Sequence, residues 1–311
     1  MPNDFFIGSL TIVQVAGGDR NKIVNNLCTQ DIRTLADGQI AETFITDVKG
    51  RTLSHGIVAG LPDKLWFLST PGQQDRLVPH IDRYIIREDA TVSGLSDAWS
   101  GTLVPPSSPT LATFRDWPNW DANRSAQWLH RDGAEAVCVD VPWWTGGAKL
   151  VLVPSSDLQS PGEVANSSVA NSSVAASETS NRQGWELERL RAFWPWYGID
   201  CDERNLPQEL GIDDRAISFH KGCYLGQETV ARLDALGQVQ KKLVLLRIDG
   251  DGPLSLPCRV ELEGKEIATI TSVASTGQGD RLALGMVRRG HLAVGDRFAV
   301  GGTWATVIPR P

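Results

Sequence analysis

The sequence predicts an α+β protein that ends in a small β-barrel, and three patterns carry that expectation. Residues 1–90 run strand, helix, hairpin, strand, helix, the order of helices laid on an antiparallel sheet. Residues 91–154 supply a second set of strand-length apolar runs, and a helical pattern resumes over 184–242, which together read as a second α+β half. From 243 to 311 the pattern is all-β, with short strands cut by Gly- and Asp-bearing turns, the spacing of a small closed barrel.

Taken in order, Leu10–Val15 reads as a strand, and Gly17-Gly18 leads to Asp19 as an N-cap. Ile23, Val24, Leu27 and Cys28 then share one helical face, so Cys28 is assigned to the core. After the Asp37-Gly38 turn, strands 40–46 and 53–59 flank Asp47–Arg51 as a hairpin, and Leu65–Leu68 pairs alongside. Leu77, Ile81, Tyr84 and Ile85 mark an amphipathic helix, with Pro79 in its first turn or at a kink.

In the second half, Val92, Leu103, Val137–Val141 and Leu150–Val153 supply strands around a Pro105-Pro106 loop. Trp117, Trp120, Trp128, Trp143 and Trp144 cluster here, either as core filling or as a stacking surface for a flat heterocycle. Residues 155–183 change character: a duplicated NSSVA and almost no large apolar side chains predict a disordered insertion. Order returns at Trp185, where Leu187, Leu190 and Trp194 share a helical face that Pro195 ends. The barrel strands fall at 243–248, 259–262, 266–273, 281–287 and 297–308, and Cys258 beside Pro257 reads as structural.

A net charge of −7 argues against general nucleic-acid or anionic-membrane binding, which needs a basic face. No apolar run approaches the roughly 18 residues of a membrane helix. MPNDFFIGSL lacks the basic start and long apolar core of a signal peptide. Five scattered cysteines without a C-x-x-C read as reduced thiols of a cytoplasmic protein, and five dispersed histidines offer no preformed metal cage.

The chemistry concentrates between Arg215 and Leu236, RAISFHKGCYLGQETVARLDAL. Cys223 lies on a turn ahead of a helix that starts at Gln227 and stops at Gly237, with Gly222 and Gly226 beside it. Unpaired N–H groups, the helix dipole and Lys221 all favour its thiolate, against the plainer reading of a buried cysteine. His220 is the one histidine placed to matter, or else a surface residue.

Lys221-Gly222-Cys223-Tyr224-x-Gly226-Gln227-Glu228 resembles the signature of the YgfZ family. Those are folate-binding proteins related to the aminomethyltransferase (T-protein) of the glycine cleavage system and to mitochondrial iron–sulfur assembly factors. Gly17-x-Asp19, Leu27-x-Thr29-x-Asp31 and Asp47-x-Lys49-Gly50-Arg51 fall in the family's order, as does Arg189 through Pro195 and Gly198 to Asp200. The resemblance implies a T-protein-like region of two α+β halves before the barrel, and tetrahydrofolate or a derivative as ligand. It implies contacts from Arg189, Arg191, Gly198, Asp200, Lys221, Gly222, Tyr224, Gly226, Gln227 and Glu228. Cys223 is the implied reactive group with Lys221 in support, and no metal site is preformed, with Cys223 the candidate for a transient iron ligand. Iron–sulfur client or assembly proteins are the implied partners, with tRNA modification served indirectly. Two positions depart from the pattern: the usual Gly is Phe193, and the folate-contacting Glu of the aminomethyltransferases is Arg191. Asp75 corresponds loosely to the aminomethyltransferases' catalytic Asp, or simply complements a helix dipole. The resemblance leaves two alternatives beside the accessory role, a folate-dependent aminomethyltransferase and a non-catalytic folate-binding module.

Overall fold

A computed structural model describes residues 4–142, 146–157, 182–237 and 239–311. Trp143, Trp144 and residues 158–181 of the polar stretch lie outside the described residues. The chain divides into two compact units, one formed by 1–25, 32–42 and 56–185 and the other by 26–31, 43–55 and 186–311.

The elements up to residue 157 are β1 (Phe5–Gly8), β2 (Thr11–Ala16), α1 (Arg20–Leu27), β3 (Ile40–Thr46), β4 (Thr52–Leu61), β5 (Lys64–Ser69), α2 (Gln74–Asp82), β6 (Thr91–Gly94), β7 (Trp99–Val104), α3 (Pro109–Arg115), β8 (Ala126–Arg131), β9 (Ala134–Asp140) and β10 (Lys149–Pro154). They build two five-stranded sheets, ordered β3-β4-β5-β2-β6 and β1-β7-β10-β9-β8. β4 is buried along almost its whole length, which is why its second half, from Ile57 to Leu61, reads as a continuous run and not as an alternation.

Within the first unit, Val104, Leu111, Leu129, Ala136, Cys138 and Val151 form a core onto which Phe114, Trp117 and Trp120 pack. Trp66, Trp99 and Trp128 meet edge to face, with ring centroids 5.1, 5.1 and 5.3 Å apart. Gln14 accepts from the Trp66 indole N–H and Glu135 from that of Trp128, so both buried ends of these amphipathic rings are satisfied. The described tryptophans of the predicted cluster are therefore packing residues.

Among the elements up to residue 157, β1, α3 and β8 escape the sequence pattern. The helix marked by Leu77 and Ile81 closes at Asp82, so Tyr84 and Ile85 lie beyond it, and Pro79 sits in its interior instead of its first turn. A proline there removes one i→i−4 bond, and the helix stops within a turn.

Residues 182–191 are helical (α4), and the second unit, from Glu186 on, continues with a 3₁₀ turn (Pro207–Leu210), α5 (Asp213–Ala216) and α6 (Gln227–Leu236). Then come β11 (Lys241–Asp249), β12 (Cys258–Leu262), β13 (Lys265–Ser275), β14 (Asp280–Arg288), β15 (Arg297–Val300) and β16 (Thr303–Ile308). The expected final strand 297–308 is thus two strands, turned at Gly301-Gly302. These six strands run in the order β12-β13-β14-β11-β16-β15, and the edges β12 and β15 approach one another to give a nearly closed barrel. β13 shows the period-two burial of a strand with one wet face. Leu246, Ile248, Ile270, Ala283, Val287 and Phe298 fill the barrel. Phe44, Leu190, Phe193, Tyr197, Tyr224 and Leu243 belong to a separate core that lies under the site described next.

Candidate functional site

The motif turn is fastened to the strip formed by residues 26–30. After α5 the chain extends, and the Ser218 N–H donates to the Thr29 carbonyl at 2.9 Å. Three residues on, Lys221 turns inward: Nζ donates to the carbonyls of Cys28 (2.9 Å) and Gln30 (2.7 Å). Tyr224 is buried in the core, with its ring centroid 5.0 Å from the same ammonium. The Leu225 N–H donates to the Asn26 carbonyl at 2.8 Å, and the Leu225 carbonyl accepts from Thr46 Oγ1 at 2.7 Å.

Gly226 then enters α6 at φ +80°, and a Cβ there would lie 2.4 Å from the Asp47 carbonyl oxygen and 2.5 Å from Gly50 Cα. Both the left-handed backbone and the close approach require glycine. Gly237 closes the helix in the left-handed conformation, as the sequence implies. Gly222 and Cys223 are left facing solvent, between exposed Phe219 and His220 on one side and exposed Glu228 on the other.

The environment of Lys221 differs from the one expected. Its side chain is 7% exposed, and the charge sits among carbonyls and 3.9 Å from the buried Cys28 thiol. Burial pushes that thiol up, and the neighbouring ammonium pulls the other way. Burial likewise raises Cys138 to about 12 and raises Cys201, where Asp200 and Asp202 add to it. It raises the half-buried Cys258 and the Tyr224 hydroxyl too. Of the five cysteines only Cys223 is exposed.

The Arg189–Asp200 stretch is closed on itself. Arg189 Nη1 donates to Asp200 Oδ2 (2.7 Å) and the Trp194 carbonyl (2.6 Å), Nη2 to Ser272 Oγ (2.8 Å), and Nε to Glu186 (2.9 Å). Asp200 also accepts from the Trp196 N–H (2.8 Å), Thr271 Oγ1 (2.6 Å) and Ser272 Oγ (2.6 Å). Burial works against the guanidinium's charge, and the Asp200 and Glu186 carboxylates outweigh it. Phe193, which stands where the family has Gly, is 2% exposed and held at φ +52°. Gly198 takes φ +90°. His55 packs between the rings of Phe44 and Trp194, at 5.1 and 4.8 Å, with Nδ1 3.2 Å from the Pro195 carbonyl. Arg191 is at the surface, paired with Glu188 at 2.6 Å.

Asp75 belongs to the first unit, in the first turn of α2, where a carboxylate complements the dipole. It also lines an open cavity of about 270 Å³ with Gln74, Val78, Pro79 and Gly94. Among the described residues, no group of three or more His, Cys, Asp or Glu is placed to hold a metal ion. No described helix is long and apolar enough to cross a membrane.

The structure therefore gathers Lys221, Tyr224 and Gly226 under the Cys223 turn, and Arg189 with Asp200 in a network of their own. Sequence reasoning missed Asn26, Cys28 and Gln30, which act through backbone carbonyls that no side-chain pattern reveals. The one signal is that this strip overlaps the Leu27-x-Thr29-x-Asp31 resemblance.

No family model matches the chain. An aminomethyltransferase of Thermotoga neapolitana is 25% identical over 95% of this chain and 81% of its own length. The tRNA-modifying protein YgfZ of Yersinia enterocolitica is 24% identical over 76% of this chain and 68% of its own. A mitochondrial iron–sulfur cluster assembly factor homologue of Neosartorya fischeri is 24% identical over 78% of this chain. The match spans only 57% of that fungal protein's length. Among solved structures, the glycine cleavage system aminomethyltransferase T of Bartonella henselae superposes with a TM-score of 0.77. That likeness covers 99% of this chain and 85% of the other at 14% identity, which shows the fold. Along most of its length the chain is thus similar to YgfZ proteins, iron–sulfur assembly factors and glycine-cleavage aminomethyltransferases, and its fold is that of the aminomethyltransferases.

Proposed function

We propose that this chain is a folate-binding accessory protein for iron–sulfur cluster assembly or repair, acting in the cytoplasm and supporting tRNA modification indirectly, with Cys223 as its reactive group. The observation that carries the reading is the exposure of Cys223 alone among the five cysteines, on a turn anchored at its base. The names borne by the Yersinia and Neosartorya relatives support it. A single thiolate can ligate iron transiently, exchange with a disulfide or accept a one-carbon adduct. A stable cluster takes four ligands, so a client or assembly protein supplies the others, and the cluster is cargo here.

Reduced folate is the ligand this reading assigns. Arg189, Asp200 and Lys221 do not fit direct contact with it, because their charged groups are committed to internal partners. They serve as scaffold, together with Tyr224, Gly198 and Gly226. Asp75 borders a cavity of the first unit and is kept apart from this set, as a catalytic candidate only. Arg191 suits the glutamate tail, whose carboxylates would replace Glu188 on its guanidinium fork. Gly222, Gln227 and Glu228 remain contact residues on the motif itself.

Replacing Cys223 by Ser tests the thiol. Client-enzyme maturation should fall to the level of a strain lacking the protein while the unfolding midpoint stays put, and full activity would sink the reading. Calorimetry with tetrahydrofolate tests the ligand. Binding in the micromolar range, about −8 kcal/mol, is expected and should weaken in Arg191→Ala. No heat at millimolar ligand removes folate from the account.

One observation favours the second reading, an aminomethyltransferase: Asp75 stands at a cavity where a general acid–base group is needed. Turnover of tetrahydrofolate with an aminomethylated carrier protein to methylenetetrahydrofolate would establish it over the first.

A further inference from the structure

The contacts of the motif turn all fall on one strip, residues 26–30. Ser218 pairs with Thr29, Lys221 with Cys28 and Gln30, and Leu225 with Asn26. The two backbone links run antiparallel, 218 to 29 and 225 to 26, and Lys221 bridges 28 and 30 between them. The two outer links are backbone hydrogen bonds, and the middle one is a side chain. Lys221 is thus a long side chain that ties the middle of the turn to the strip. Between buried Lys221 and buried Tyr224, Gly222 and Cys223 project to solvent.

We propose that Lys221 is a positioning residue: by holding the Cys28 and Gln30 carbonyls, its ammonium sets the direction and rigidity of the Cys223 turn. This rests on the reading of Cys223 as the reactive group and assigns that reading its mechanical support. The geometry favours a tether over a charge effect. Two of the three ammonium donors end on carbonyl oxygens at 2.9 and 2.7 Å, and the aromatic face of Tyr224 lies beside the same group. The charge is turned toward the strip and away from solvent, while the thiol it precedes by two residues is turned outward. Removing the ammonium leaves the two backbone links, at Ser218 and Leu225, to hold the turn unaided, so both open more readily.

The test compares wild type with Lys221→Met, which keeps the aliphatic stem and removes the donors. Hydrogen exchange at the Leu225 amide, whose partner is the Asn26 carbonyl, reads the tether directly. It should accelerate about tenfold or more in Lys221→Met. In Cys28→Ala, which removes the nearby thiol but keeps the carbonyl, it should stay within about twofold. The pH profile of iodoacetamide labelling at Cys223 reads the rival charge role. Its midpoint should hold in Lys221→Met, whereas a rise of about one pH unit with unchanged Leu225 exchange would overturn the tether.

Unchanged exchange and an unchanged profile would overturn it equally. If Lys221→Met does not fold, the wild-type protein decides. The ¹⁵N-labelled Lys221 ammonium should show through-hydrogen-bond coupling to the Cys28 and Gln30 carbonyl carbons, and its absence rejects the proposal. The underlying reading fails by a separate result, full client activity in Cys223→Ala, whatever Lys221→Met does.

Discussion

Arg189 and Lys221 are both long cations, 2% and 7% exposed, and both belong to stretches that resemble family motifs. Arg189 is answered by carboxylates, Asp200 and Glu186, in a network that also takes in two hydroxyls of β13. Lys221 ends on backbone carbonyls, and the residue two places on carries an exposed thiol. The first stretch is closed and holds a helix end to the barrel. The second is closed at its root and open at its tip. Two motifs of similar residue types thus serve different ends, one as architecture and one as a presented group.

The comparison breaks most easily at Asp200. Asp200→Ala leaves Arg189 buried without its fully enclosed carboxylate, and breaking such a pair costs about 3–5 kcal/mol. Denaturant unfolding should show that loss. A loss below about 1 kcal/mol would mean that the network is no more structural than a surface pair.

Phe193 gives the next effect. Truncation of a buried Phe costs about 3–5 kcal/mol, but the left-handed backbone at φ +52° strains any L-residue by about 1–2 kcal/mol. Phe193→Gly should therefore be less destabilising than Phe193→Ala by about 1 kcal/mol, the reverse of the usual order in regular structure. Paired unfolding curves of the two variants check it.

Asp213 lies between the two stretches, and burial raises its carboxyl to about 6, with Lys242 opposing and Asp214 adding. The unfolded value is about 3.9, so the native chain holds the proton more tightly between the two. Stability from this group is complete below about pH 4 and is lost as pH rises through about 6. Asp213→Asn should accordingly gain about 1 kcal/mol at pH 7.5, partial exposure limiting the effect, and gain nothing at pH 4. Melts at the two pH values read the difference. The smallest effect falls on Arg191, two residues from Arg189: Arg191→Ala should shift stability by under about 0.5 kcal/mol, because its pair with Glu188 is open to water.

The strands and turns of the barrel were legible because one wet face imposes period-two alternation on β13 and because its hairpins carry glycine. β1 was not, since its four residues acquire strand identity only by pairing with β7, nearly a hundred residues away. The split between β15 and β16 was hidden because the apolar pattern runs on across Gly301-Gly302. At the site, the turn, the helix start and the exposed thiol followed from the glycines and the motif. The direction of Lys221 did not, because the same residue two places from a cysteine can point along the surface or into the protein. Only the carbonyls of Cys28 and Gln30 decide it, and they are the same atoms in every residue type.

The mutual edge-to-face contact of Trp66, Trp99 and Trp128 has an optical consequence. Indoles at about 5 Å share their excited states, so the three should give a strong exciton couplet in the far-ultraviolet dichroism and quench one another's emission. All three belong to the first unit, whereas the Cys223 turn belongs to the second. A denaturation followed by that couplet and by Cys223 labelling together would reveal whether the two units melt as one or in turn, without a label being added to the first.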